Sequence, residues 1–120
     1  MRLTEQECEA LVEWARLLEG GEFFQIRGPI RDREGTCAMG VSFFVPKQVR
    51  RCFRKSSILP VVQLEAARRN DLVGWTFHEI AAWLREIAAG GEFELDDLPP
   101  RRHRAPADRI GDEPLCGALV

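Results

Sequence analysis

Lys47, Arg50, Arg51, Arg54 and Lys55 are spaced so that, at about 3.6 residues per turn, all five fall on one helical face. That face spans an arc of roughly 140°. Val49, Cys52 and Phe53 take the opposite side. Five like charges with no acid four residues away repel one another. Such a face is either a solvated surface or a patch for an anionic partner, nucleic-acid phosphate or an acidic protein surface. No interleaving of basic and aromatic residues suggests base stacking, so sequence-specific reading of RNA is not expected.

A second candidate chemistry is nucleophilic. Cys37 would be activated if it opens a helix, because a helix N-terminus favours the thiolate. His78 could then serve as its base, with Asp71 or Glu79 to orient the imidazole. Against this, His78 stands between Phe77 and Glu79 near a helix start, where surface and capping roles are common. Cys8, Cys37, Cys52 and Cys116 are far apart, and His78 and His103 are the only histidines. Neither Cys-x-x-Cys nor His-Glu-x-x-His occurs, so no metal site is expected, and the cysteines read as reduced thiols. A glycine-rich phosphate loop is also missing. The expectation is a protein without catalysis and without a cofactor.

The elements that would position these residues are mostly helices. Thr4 followed by Glu7 fits a capping box, and Cys8, Leu11, Val12, Ala15 and Leu18 then recur at helical spacing. Thr76 and Glu79 repeat the pattern ahead of Phe77, Ile80, Ala81, Leu84, Ile87 and Ala88. Pro46 and Pro60 suit the first turns of two more helices. The apolar run at residues 37–45 is either a buried strand or a short buried helix, which periodicity cannot separate. Residues 22–26 and 92–95 could form a small two-stranded element. Trp14 and Trp83, at the edges of their stripes, are expected to be buried close to the 37–45 run.

The chain of 120 residues carries a net charge of −2. That total hides a basic middle: residues 27–55 sum to +6, while residues 1–26 sum to −4. Glu5, Glu9 and Glu13 align along the first helix, and Glu92, Glu94, Asp96 and Asp97 cluster after the last. No apolar run approaches a membrane span, and the acidic, amphipathic N-terminus is not a signal peptide, so a cytoplasmic location is expected. Residues 1–95 read as one globular domain. Residues 96–120, rich in proline and charge, read as a tail or a strap laid over the surface.

Gly-Gly-Glu-Phe occurs twice, at residues 20–23 and 90–93. It resembles the active-site loop of diguanylate cyclases, but lacks that loop's further acidic residue and its α/β setting. Both copies follow an amphipathic helix, where glycine is a natural stop. "GWTFHEIAAWL" similarly resembles the first helix of a helix-turn-helix, yet an acidic, proline-ended stretch stands where the recognition helix belongs.

Three segments together resemble small proteins encoded by bacteriophages and prophages. These proteins tend to show Ser-Gly-Glu-Tyr-x-Gln, then Phe-Cys-Cys-Leu-Gly-Val, then Asn-Asp followed by Ser-Phe-x-Glu-Ile-Ala. The matching pieces here are "EGGEFFQ" (19–25), "TCAMGV" (36–41) and "RNDLVGWTFHEIAAWL" (69–84). Gly20 replaces the serine and Ala38 the second cysteine. The resemblance implies no assigned chemistry. It implies a mobile-element accessory protein that modifies host machinery.

Taken together, these readings give a mainly α domain of four or five short helices, or an α+β variant with the small two-stranded element. The expected function is that of a non-catalytic phage accessory protein acting by binding, most concretely an anti-CRISPR-like inhibitor. It would occlude a nucleic-acid or subunit site of a host defence complex through Lys47, Arg50, Arg51, Arg54 and Lys55. The expected partner is a host protein or ribonucleoprotein complex, with nucleic acid itself and a second copy of the chain as further candidates, and no membrane. A small nucleic-acid-binding regulator and a Cys37/His78 enzyme are the alternatives.

Overall fold

The computed structural model describes residues 1–28 and 35–101. Among the described residues there are five helices: α1 (Glu5–Glu19), α2 (Ala38–Val41), α3 (Lys47–Lys55), α4 (Leu59–Arg68) and α5 (Phe77–Gly90). A 3-10 turn (Ser42–Phe44) extends α2, and a π turn (Arg69–Val73) extends α4. No helix among the described residues is long and apolar enough to cross a membrane.

Both expected capping boxes are present. Thr4 accepts from the Glu7 amide while the Glu7 carboxylate accepts from the Thr4 amide, and Thr76 and Glu79 do the same for α5. The two Gly-Gly pairs end their helices. In each pair the second glycine takes the left-handed conformation, Gly21 at φ 80° and Gly91 at φ 71°. The repeated Gly-Gly-Glu-Phe is therefore helix-stop punctuation.

α1 and α5 pack along each other. Leu11, Trp14, Ala15 and Leu18 of α1 meet Ile80, Ala81, Leu84 and Ile87 of α5 in one buried cluster with Val41, Leu59 and Val62. Trp14 is fully buried; its indole N–H donates to the Ala38 carbonyl at 3.0 Å, and its ring takes the edge of Phe53 at 5.7 Å. The 37–45 run is helical, and α2 fits under α1 because Ala38 and Gly40 are small enough to be buried there.

Two expectations are corrected. Residues 22–26 and 92–95 do not pair with each other, and no sheet forms among the described residues. Gln25 instead bridges Thr36 in parallel, and Arg2 bridges Glu92 in antiparallel. The reason is proximity in the chain and in space. Gly35 lets the backbone double back on Phe24, since a Cβ at that position would stand 2.1 Å from the Phe24 carbonyl oxygen. The N-terminus lies beside the chain leaving α5, where the Leu3 amide donates to Gly91 and the Phe93 amide to Met1.

Trp83 also departs from expectation. It is only half-buried, packed against the edge of the core between Trp75 and Phe93 with ring centroids 6.3 Å from each. The Arg69 guanidinium lies over it, 4.3 Å from the ring centroid. Arg69 is itself buried, paired with Glu65 at 3.0 Å and Asp96 at 3.5 Å, while its Nε finds no partner. Asp96 thus lies against the domain. Residues 102–120, which carry most of the expected tail or strap with His103 and Cys116, fall outside the described residues.

Candidate functional site

The three segments that carry the phage-protein resemblance converge on Asn70, a fully buried side chain. Its Oδ1 accepts from Gln25 Nε2 at 2.7 Å and from the Ala38 amide at 3.2 Å. Its Nδ2 donates to the Ile26 carbonyl at 2.9 Å and to Asp71 at 2.7 Å. Gln25 Oε1 accepts from the Phe77 amide at 3.1 Å. The first amides of α2 and α5 have no partner within their own helices. Asn70 caps one and Gln25 the other, from far away in sequence. Arg27 adds bonds to the Asn70 and Gly74 carbonyls, at 2.8 and 3.1 Å. The cluster is a tie that fixes helix starts.

Cys37 and His78 do not form a catalytic pair. Cys37 precedes α2, as the nucleophile reading requires, but it is buried, and burial pushes its thiol up, away from the thiolate. Asp71 adds to that effect. His78 is exposed. No hydrogen bond joins the two among the described residues. Asp71 belongs to the Asn70 tie, and burial raises its carboxyl against the pull of the Gly28 amide, Asn70 and Arg27. Glu79 is the capping partner of Thr76. Burial also raises Cys8 and Cys52. Among the described residues no three His, Cys, Asp or Glu side chains gather as metal ligands would.

α3 presents the predicted basic face. Lys47, Arg50, Arg51, Arg54 and Lys55 are all exposed, while Phe53 is buried and Val49 and Cys52 pack on the core. None of the five makes an ion pair with a described carboxylate. Arg54 and Lys55 complement the carbonyl end of the helix, and Lys47 stands at its less favourable amide end. The helix is held from its buried side. Pro46 accepts from the Val49 and Arg50 amides at its start. At its end the Ser56 hydroxyl donates to Glu7 Oε2 at 2.5 Å and accepts from the Ile58 and Leu59 amides. Burial works to raise the Glu7 carboxyl, but the bonds from Ser56 and Thr4 outweigh it and hold Glu7 below its ordinary value. The basic face is therefore carried on a helix packed against the core, and its five cations have no ion pair among the described residues.

Sequence reasoning missed the two residues beside this face. Phe43 and Phe44 belong to the apolar run and read as core, yet they are 48% and 44% exposed. Phe44 leans on Phe23 with centroids 5.0 Å apart, and Arg50 Nη1 reaches toward the Phe43 carbonyl at 3.5 Å. The available signal was Val45-Pro46. Val45 is the next residue of the run to be buried, and the proline starts a new helix, so the chain must turn at the two phenylalanines.

The acidic row lies elsewhere. Glu5, Glu9 and Glu13 rim an open groove between α1, the start of α3 and the end of α5, floored by Val12 and Val49. Comparison with known protein families, curated proteins and solved structures finds no match.

Proposed function

We propose that the chain is a non-catalytic accessory protein of a phage or other mobile element that acts by binding in the host cytoplasm. In its most concrete form it is an inhibitor that occludes a nucleic-acid or subunit site of a host defence complex, in the manner of anti-CRISPR proteins. The observation that carries this reading is the basic face of α3: five exposed cations without described acid partners, on a helix whose other side is locked into the core. Mounting charge in this way suits recognition of a polyanionic target, because the field is fixed before the partner arrives. The resemblance at residues 19–25, 36–41 and 69–84 supplies the mobile-element context. Burial of the Cys37 thiol favours binding over cysteine chemistry.

The test compares wild type with Arg50→Glu/Arg51→Glu/Arg54→Glu. Each is immobilised, exposed to host lysate with and without nuclease, and then titrated against the captured complex. Wild type should bind and the triple variant should not, since attraction becomes like-charge repulsion. Binding should also weaken with salt, which screens exposed charges beyond ~10 Å at about 0.1 M. Equal affinities would reduce the face to a solvated surface.

A further inference from the structure

We infer that the α3 face and the phenylalanine pair before it form one site for single-stranded nucleic acid, with the backbone along Lys47–Lys55 and a base stacked on Phe43 or Phe44. This deepens the reading above and rests on it: within a host ribonucleoprotein, the site would engage an exposed strand. The cations alone would suit any polyanion. The aromatics narrow the choice. Phe43 and Phe44 close the turn that leads through Val45 and Pro46 into α3, and both rings are nearly half exposed. Arg50 Nη1 lies 3.5 Å from the Phe43 backbone carbonyl, so the basic helix is in contact with the turn that carries the two phenylalanines. Basic surface beside exposed rings is the composition of single-strand sites, where phosphates meet cations and unstacked bases meet aromatic faces. In a duplex those base faces are already covered by their neighbours.

An acidic protein partner is the competing occupant, and the composition of the face argues against it. The centre of a protein–protein interface is depleted in charge, and lysine is disfavoured there. Here two lysines and three arginines cover the outward side of α3, and its apolar residues face away from them, Phe53 into the core and Val49 into the groove against α1. No aliphatic side chain is offered on the basic face as an anchor. Phe44 is braced by Phe23, which limits the order a stacked base would have to impose.

The experiment is a set of fluorescence titrations with three probes: a labelled uridine oligonucleotide, an RNA duplex of the same length, and poly-glutamate. The proteins are wild type, Phe43→Leu, Phe44→Leu and the Arg50/Arg51/Arg54 reversal. Leucine keeps apolar bulk beside Phe23 and removes the π face, so the fold is retained. Wild type should prefer the single strand. At least one leucine variant should lose about fivefold or more on that probe, the low end of one stacked base. Neither should change on poly-glutamate. The logarithm of affinity for the single strand should fall with the logarithm of salt at about −0.7 per phosphate contacted, near −3.5 if all five cations engage. Equal binding of strand and duplex, or wild-type affinity in both leucine variants, overturns the stacking site and leaves the basic face standing. Preference for poly-glutamate overturns it in favour of an acidic protein partner. Undiminished binding by the charge reversal overturns the basic face as well.

Discussion

Asn70 and Arg50 are both polar side chains on helical turns, and the fold treats them in opposite ways. Asn70 is fully buried and spends its bonding capacity on Gln25, Ala38, Ile26 and Asp71. Arg50 is exposed, and among the described residues it makes only a long contact with one carbonyl. Inside, a polar group must be matched or it costs the fold dearly. Outside, water satisfies it, so an unmatched charge remains available to a partner. The inner tie is where stability is concentrated, and the outer face is where it can be altered freely.

The sharpest way to break this contrast is Asn70→Leu. It strips the Ala38 amide and the Ile26 carbonyl of their partners and leaves Gln25 Nε2 with the Trp75 carbonyl alone. The expected loss is about 3–5 kcal/mol, read as a shift in the urea unfolding midpoint. A loss under about 1 kcal/mol would mean that the tie is decorative.

Ser56→Ala is the next step down. It removes the hydroxyl that joins Glu7 of α1 to the α3–α4 turn, a bond to a charged group, and should cost about 1.5–3 kcal/mol at neutral pH. The same link has a pH signature. Glu7 is held below its ordinary value of 4.5, so its contribution is fully present above that value and is lost as pH falls through the lower, folded one. Asp71 runs the other way. Its folded carboxyl is raised above 3.8, so stability present below that value is lost as pH rises through the folded one. Glu7→Gln should therefore flatten the acid loss of stability, and Asp71→Asn should steepen the net fall toward low pH. Unfolding midpoints measured from neutral pH down to about pH 3 decide between these slopes and parallel curves.

Gly91→Ala probes neither region and calibrates both. An added Cβ would meet nothing within 4 Å, so only the left-handed φ of 71° resists it. The cost should be about 1 kcal/mol by chemical denaturation. Smallest of all is the Arg50/Arg51/Arg54 reversal. Its stability should stay within about 0.5 kcal/mol of wild type, because no described ion pair is lost. A large loss in that variant would show that the outer face supports the fold after all.

The parts of the fold legible in the sequence are those set by local chemistry. Thr4–Glu7 and Thr76–Glu79 announce two helix starts because the capping box is built from residues three apart. The basic face is legible for a similar reason, since helical spacing alone sorts Arg50 from Phe53. The Asn70 tie is not legible, because its partners other than Asp71 lie 32 to 45 residues away and their only local mark is a buried polar residue. The same non-locality misled the pairing of residues 22–26, whose true partner at Thr36 depends on Gly35. Phe43 and Phe44 were hidden by a property of apolar runs: composition does not say which members face water. A tryptophan on an apolar stripe usually belongs in the core, so the stripe pattern alone misreads Trp83. Arg69 supplied a cationic lid that no stripe pattern encodes.

The π turn at Arg69–Val73 sets where this chain can change its length. The Gly74 amide reaches the Arg69 carbonyl five residues back, at 2.9 Å, where an α-helical turn would span four. One residue more than a regular helix needs is stored there, after Asn70 and before the left-handed Gly74. Deleting the exposed Leu72 would let that turn close in the ordinary way, with Asn70 still in register with α4. A deletion inside α4 would instead swing Asn70 by about 100° and pull it off Gln25, Ala38 and Ile26 together. Length variation in this fold should therefore cost less on one side of Asn70 than on the other.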